Sequence, residues 1–280
     1  MLFGERFQQM DHATSTNPVL WRVDERSVAY VTLNRPQVYK AYNGEMIAAL
    51  LAAFDKLSRE PLRVAVITGN GRNFQAGADI SWLDAVRRSS QQDNLRASRM
   101  TAEAIQRLNM LPIPIVALVQ GACFGGGTGM IAACDIVIAA DNAIFSIAEV
   151  RIGVAGTIII PQLSDAIGVR QVRRYALTAE RFEVREAPRI GLVHEIVPLA
   201  DLQAAGERIV DHLLANGPAA IAQTKACALR SAWSNLKDDM FAELVEGHAA
   251  ERQSEEAAEG LASFLEKRPA RWNRAQKPKG

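Results

Sequence analysis

Cysteine is scarce in this sequence: Cys123, Cys134 and Cys227 are odd in number, widely spaced and never arranged as C-x-x-C. That excludes a disulfide framework and a thiolate zinc site, and it fits a reducing compartment. Histidine is equally thin. His12, His194, His212 and His248 stand far apart, so no pair has metal-ligand spacing. An excess of one charge is missing too. Lys plus Arg number 32 against 31 Asp plus Glu, which leaves no global field to draw the chain to nucleic acid or an anionic membrane surface. No apolar run approaches the roughly 20 residues that span a bilayer. Glu5, Arg6 and Asp11 occupy the stretch where a signal peptide is apolar. The expectation is a cytoplasmic protein with neither nucleic acid nor membrane as a partner.

What the chain has is apolar residue in quantity: 49% of 280 residues, enough for one large domain or one with a smaller appendage. Residues 1–16 carry no sustained period and read as a loose lead-in. Short apolar runs at Ala29–Asn34, Arg63–Thr68, Ile115–Val119 and Cys134–Ala139 read as strands, three of them buried. Between them, Asn43 can cap a helix through Met46, Leu50, Phe54 and Leu57, and Asp93–Leu111 is amphipathic up to Pro112. This alternation predicts an α/β core over 17–198. Over 199–280 the pattern turns helical: Asp201–Ala215, Pro218 to Arg230, Leu236–Glu251 and Glu255–Lys267. That portion is too small to stand alone easily, so it packs on its own core or on another subunit.

Two loops stand out. Gly71-Arg72-Asn73-Phe74-Gln75-Ala76-Gly77-Ala78-Asp79-Ile80 leaves a buried strand and is rich in small residues, which let a ligand approach free main-chain N–H groups. A plain tight turn is the alternative. Gly121 to Gly129, with three successive glycines at Gly125-Gly126-Gly127, follows another buried strand and opens a helix. Helix N-terminal N–H groups favour negative charge, so this is an arrangement that can stabilise an oxyanion. Its alternatives are close strand–helix packing or a dinucleotide turn. Gly127-Thr128-Gly129-Met130-Ile131-Ala132 does match G-x-G-x-x-A, but about six residues remain before the next strand, and a parallel crossover needs about ten to twelve.

With Leu33-Asn34-Arg35-Pro36, Phe74-x-Ala76-Gly77-Ala78-Asp79, Gly121 to Gly127, Ala133-Cys134-Asp135, and Leu177-Thr178-Ala179 through Ile190-Gly191-Leu192-Val193, the chain resembles the crotonase (enoyl-CoA hydratase/isomerase) superfamily from about residue 18 to 270. The resemblance implies a spiral of repeated ββα units with a helical C-terminal oligomerisation portion, in a homotrimer or dimer of trimers. It implies an acyl-CoA substrate, with coenzyme A as part of that substrate, and no separate cofactor or metal.

By the same resemblance, the N–H groups of Ala78 and Gly126 surround the thioester carbonyl. Of three positions where relatives carry acids, two are Gly129 and Thr157 here, which leaves Glu149 as the acid–base residue. Outside the resemblance, Glu149 reads as a surface glutamate paired with Arg151 on one side of a strand. Main-chain groups around Tyr39-Lys40-Ala41 and Ala76 are implied in CoA binding, together with Asp79, Ile80, Trp82, Phe264 and Lys267. Lys40, Arg35, Lys267 and Arg268 can offset phosphates or serve as solvated surface cations, and Trp82 can wall the acyl pocket or pack in the core. Cys123 has no implied role, and His194 belongs at a strand end.

A lone glutamate serves either of two reactions: hydration of a 2-enoyl-CoA or movement of its double bond. The stretch Ala78-Asp79-Ile80-Ser81-Trp82, with Phe124 to Gly129 and Ile160-Pro161, looks most like the branch acting on methylglutaconyl-CoA, and so favours hydration. Because Gly129 and Thr157 stand where acids occur, a catalytically weak acyl-CoA-binding protein is the alternative of another class.

Overall fold

Asn43 caps the first long helix as its sequence predicts, its side chain accepting from the Met46 N–H at 3.1 Å. The computed structural model describes residues 16–232 and 238–268. All but residue 16 of the lead-in expected at 1–16, and the helix start expected at Leu236, lie outside the described residues. In chain order come β1 (Val19–Val23), β2 (Val28–Leu33), α1 (Gly44–Leu57), β3 (Val64–Gly69), α2 (Ile80–Arg87), α3 (Gln91–Met110), β4 (Ile115–Val119), β5 (Ala122–Phe124), α4 (Gly126–Ala132), β6 (Ile136–Ala140) and β7 (Ile144–Ser146). There follow α5 (Ile160–Thr178), β8 (Phe182–Glu183), α6 (Glu186–Ile190), β9 (Glu195–Val197), α7 (Leu202–Leu214), α8 (Pro218–Ala232), α9 (Asp238–Arg252) and α10 (Glu255–Leu265).

The larger sheet runs β1-β2-β3-β4-β6-β9, parallel except for the β1–β2 pair, and the smaller runs β5-β7-β8. The spiral arises from a repeat. β4 lies in the large sheet and β5 in the small one before α4; β6 and β7 do the same before α5. Hence β4 pairs with β6 while β5 pairs with β7. The large sheet is covered on both faces, which is why its central strands are unbroken apolar runs. Ile115, Ala117 and Val119 face the main core with Leu50, Phe54 and Leu108. Val116 and Leu118 face the other way, towards Leu202, Ala205 and Val210 of α7.

Three expectations need correction. The glycine-rich segment Gly121–Gly129 is not all turn: its first part pairs with β7 as β5. The strand expected from Cys134 starts at Ile136, because the Asp135 carboxylate takes the Ile115 N–H at 2.7 Å and the Lys225 ammonium at 2.7 Å and holds the entry as a bend. Glu149 and Arg151 do not share a strand face. They belong to the 3-10 turn Glu149–Ile152 beyond β7, and Arg151 turns away to donate to the Ala179 carbonyl at 2.6 Å.

The C-terminal helices fold back onto this chain's own core. α9 packs along α3, and α10 lies on the 149–152 turn and on α2. Gly260 of α10 sits so close to the Ile152 main chain that any Cβ there would overlap the carbonyl. No described helix is long and apolar enough to cross a membrane.

Candidate active site

The two glycine-rich loops lie side by side. The Phe74 and Gln75 N–H groups donate to the Ala122 carbonyl, and the Phe124 N–H returns a bond to the Gln75 carbonyl at 2.9 Å. The first loop is also tied to the segment before α1: the Tyr42 N–H donates to the Gly77 carbonyl at 2.9 Å, and the Asp79 N–H to the Tyr42 carbonyl at 2.8 Å. These bonds skip Ala78. Its N–H has no acceptor among the described residues, and neither does that of Gly126, the first residue of α4. Two main-chain donors with no acceptor among the described residues thus stand in adjoining loops.

Glycine is required where the loops turn. Gly77 has φ +90° and Gly125 φ +50°. A Cβ on Gly125 would stand 2.8 Å from the Glu149 Oε1, and one on Gly156 would stand 3.2 Å from its Cδ. The Glu149 carboxyl is therefore clasped between two bare backbones. Its Oε2 is buried without a hydrogen-bond partner among the described residues. Burial raises its pKa to about 7, against hydrogen bonds from the Glu149 and Ala148 N–H groups that lower it. A carboxyl so poised exchanges protons near neutrality.

Glu149 and Gly126 open on a cavity lined by Ile47, Leu50, Phe54, Ala104, Ile105, Met130, Ile158 and Ile159, with Tyr42, Gln75, Thr101 and His248 as polar members. Among the described residues, Glu149 is the only carboxylate in that lining. At Gly129 an added Cβ would overlap Ile159, so an isoleucine fills the space of a second acid. The Thr157 hydroxyl and the Gln75 Nε2 are buried without partners among the described residues. The Tyr42 phenol is held well above its usual pKa by burial and then by the nearby Glu149, and so stays protonated.

The other singled-out residues divide. Ala76 donates its N–H to the Tyr39 carbonyl at 3.1 Å, which joins the two segments around Ala41. Asp79 caps α2, accepting from the Ser81 and Trp82 N–H groups, and pairs with Arg35 at 3.1 Å. Burial pushes its pKa up, but hydrogen bonds from Ser81 and Arg35 win and hold it below the carboxylate norm. Arg35 also donates to the Ala41 carbonyl, so it is no free surface cation. Lys40 is wholly buried. Its ammonium rests on the Asn70 carbonyl at 2.8 Å, with its pKa pulled down to about 8 by burial. Ile80 opens α2, and Trp82 packs edge-on against Tyr42 at 5.9 Å behind the cavity wall. Phe264 and Lys267 are exposed at the far end of α10, and Arg268 pairs with Glu259 and Glu266. Cys123 is buried in β5, where burial pushes its thiol up. His194 precedes β9 and accepts the Val137 N–H.

The sequence analysis passed over Tyr42, Gln75, Ile159, His248 and Arg252. His248 and Arg252, four residues apart on a helix, carried a signal: they share one face of α9. Among the described residues, no group of three or more His, Cys, Asp or Glu side chains could hold a metal ion.

The profile of the enoyl-CoA hydratase/isomerase family matches residues 24–276. A mevalonyl-coenzyme A hydratase of Aspergillus fumigatus is 31% identical over 258 residues, covering 88% of this chain and 91% of that one. A short-chain-enoyl-CoA hydratase of Clostridium acetobutylicum is 30% identical over 250 residues, covering 87% and 93%. The crystal structure of an enoyl-CoA hydratase from Mycobacterium avium superposes with a TM-score of 0.80 at 31% identity, covering 92% of this chain and 100% of that one.

Proposed function

The chain belongs to the enoyl-CoA hydratase/isomerase family, and from that premise we propose that it adds water across the 2,3 double bond of an acyl-CoA, with Glu149 moving the proton. The observation that carries this reading is the lone cavity carboxyl, clasped by Gly125 and Gly156 beside the free Gly126 N–H. The thioester carbonyl accepts from the Ala78 and Gly126 N–H groups. As water oxygen bonds to the β-carbon, charge moves onto that carbonyl oxygen, where each fixed donor is worth roughly 10²–10³ in rate. The neutral Glu149 carboxyl then gives its proton to the α-carbon and recovers one from the added water, so the residue ends as it began. The Glu149 Oε2, which no described residue engages, supplies a polar partner for that water.

A branched enoyl-CoA such as 3-methylglutaconyl-CoA is the proposed substrate. It is supported by the likeness of residues 78–82 to that branch and by relatives named for hydrating short-chain enoyl-CoA and mevalonyl-CoA. Ala41, Ala76, Asp79 and Ile80 would lie along the CoA. A homotrimer or dimer of trimers is supported by the exposed apolar side chains Val169, Leu177, Phe264 and Leu265, and a cytoplasmic location by the scarcity of cysteine.

Isomerisation is the second reading, favoured by one observation: Ile159 occupies the space of a second acid, and one carboxyl suffices to move a proton between two carbons. Loss of enoyl-thioester absorbance with crotonyl-CoA and 3-methylglutaconyl-CoA, in wild type and Glu149→Gln, separates the readings. Turnover that collapses in the variant supports hydration. Binding without turnover sinks it and leaves 3-enoyl-CoA isomerisation or a binding protein.

A further inference from the structure

Arg252 is one of the largest wholly buried side chains among the described residues, and none of their carboxylates pairs with it. Its Nη2 donates to the Asn94 carbonyl at 2.8 Å and to the Ser98 hydroxyl, both neutral. Its Nε and Nη1 are buried and reach no acceptor among the described residues. The Trp82 ring, 5.9 Å from Cζ, and the C-terminal end of α9 offer weak compensation. Burial lowers its pKa to about 10, still protonated at neutrality. A buried guanidinium without an anion costs several kcal/mol unless a ligand supplies one.

The group stands one residue layer behind the cavity. His248, one helical turn earlier on α9, and Thr101, one turn along α3 from Ser98, both line that space. Ser98 connects the layers, since its hydroxyl accepts from Arg252 and lies 3.1 Å from the His248 Nδ1. Arginine can only donate, so the arrangement that gives every proton an acceptor has Ser98 donating to Nδ1. His248 is then neutral with its proton on Nε2, which no described residue engages. Burial, then the Arg252 charge, pulls its pKa to about 3 and forbids the doubly protonated ring. A neutral donor at the cavity surface, backed by an uncompensated cation, is a seat for an anion. The rest of the lining is mostly apolar, so the anion must arrive on the acyl chain.

We propose that His248, backed by the Arg252 charge, holds a carboxylate at the far end of a short acyl chain, making the preferred substrate the monothioester of an unsaturated dicarboxylic acid. This deepens the hydratase reading and rests on its placement of the acyl group in the cavity. Saturated, unreactive thioesters test the seat apart from turnover. Calorimetric titration of wild type, Arg252→Met and Arg252→Lys with glutaryl-CoA and butyryl-CoA is the experiment, alongside hydration of glutaconyl-CoA and crotonyl-CoA. Wild type is expected to bind glutaryl-CoA at least ~30-fold more tightly than butyryl-CoA, Arg252→Met to lose most of that ratio, and Arg252→Lys to keep part of it. Equal affinity of wild type for the two ligands overturns the proposal and means that buried water alone satisfies the guanidinium. A ratio unchanged in Arg252→Met overturns it as well. Should that variant fail to fold, the wild-type ratio and Arg252→Lys decide. A glutaryl-CoA preference with no hydration of either enoyl-CoA leaves the seat standing and removes only the hydratase reading.

Discussion

Residues 75–79 and 122–126 present main-chain N–H groups and bare glycine backbone to the cavity, whereas the wall built from α3 and α9 presents side chains: Thr101, His248 and, behind them, Arg252. In the proposed function the first wall meets the thioester carbonyl, which every acyl-CoA shares, and the second meets the acyl chain, which varies. That reading assigns chemistry and selectivity to different materials, fixed backbone for one and replaceable side chains for the other.

Substitutions can break that division or sharpen it. The largest effect belongs to Glu149→Gln, which keeps the shape and removes the proton: kcat is expected to fall by about 10³ with any enoyl-CoA. In wild type, kcat should decline as pH rises through about 7, where the donor form is lost. A pH profile of kcat that is flat from 6 to 8 would remove Glu149 from the acid role. Next comes Gly126→Ala, whose Cβ would stand 2.6 Å from Tyr42 Cε1 and so displace the donor. It is expected to cost roughly 100-fold in kcat for charged and uncharged acyl chains alike. A loss confined to one substrate would show that the two walls are not separable.

The stability of Glu149→Gln provides a sign test. The folded pKa is about 7, above the unfolded value of 4.5, so wild-type stability is whole below pH 4.5 and is lost as pH rises through about 7. The variant should therefore be more stable than wild type at pH 8, by a few kcal/mol at most, and indistinguishable at pH 4, as read by urea unfolding. Ser98→Ala, which removes an acceptor of Arg252 and the partner of His248, is expected to cost about 1–3 kcal/mol of unfolding free energy.

The same contrast decides how much was legible in the sequence. Gly77, Gly125 and the free N–H groups follow from local pattern: small residues after a buried strand, glycines at a helix start, and a resemblance carried by contiguous motifs. The strand runs and the Asn43 cap were readable for the same reason, since period and cap chemistry are local. Glu149 was found by resemblance; the alternative that set it beside Arg151 on a strand failed because it sits in a 3-10 turn closed by Gly153 at φ +68° and braced by the distant α10. The second wall escaped altogether. His248 and Arg252 meet Asn94 and Ser98 across some hundred and fifty residues of chain, a pairing that no window of sequence contains. Lys40 and Arg35 misled in the opposite direction: as letters they are surface cations, yet their partners are carbonyls and a helix cap.

A ribosome has made both loops and Glu149 well before it makes Gly260. Until α10 lays its bare backbone on Ile152, the turn that carries the acid lacks its seat, so a nascent chain owns the catalytic groups without owning an active site.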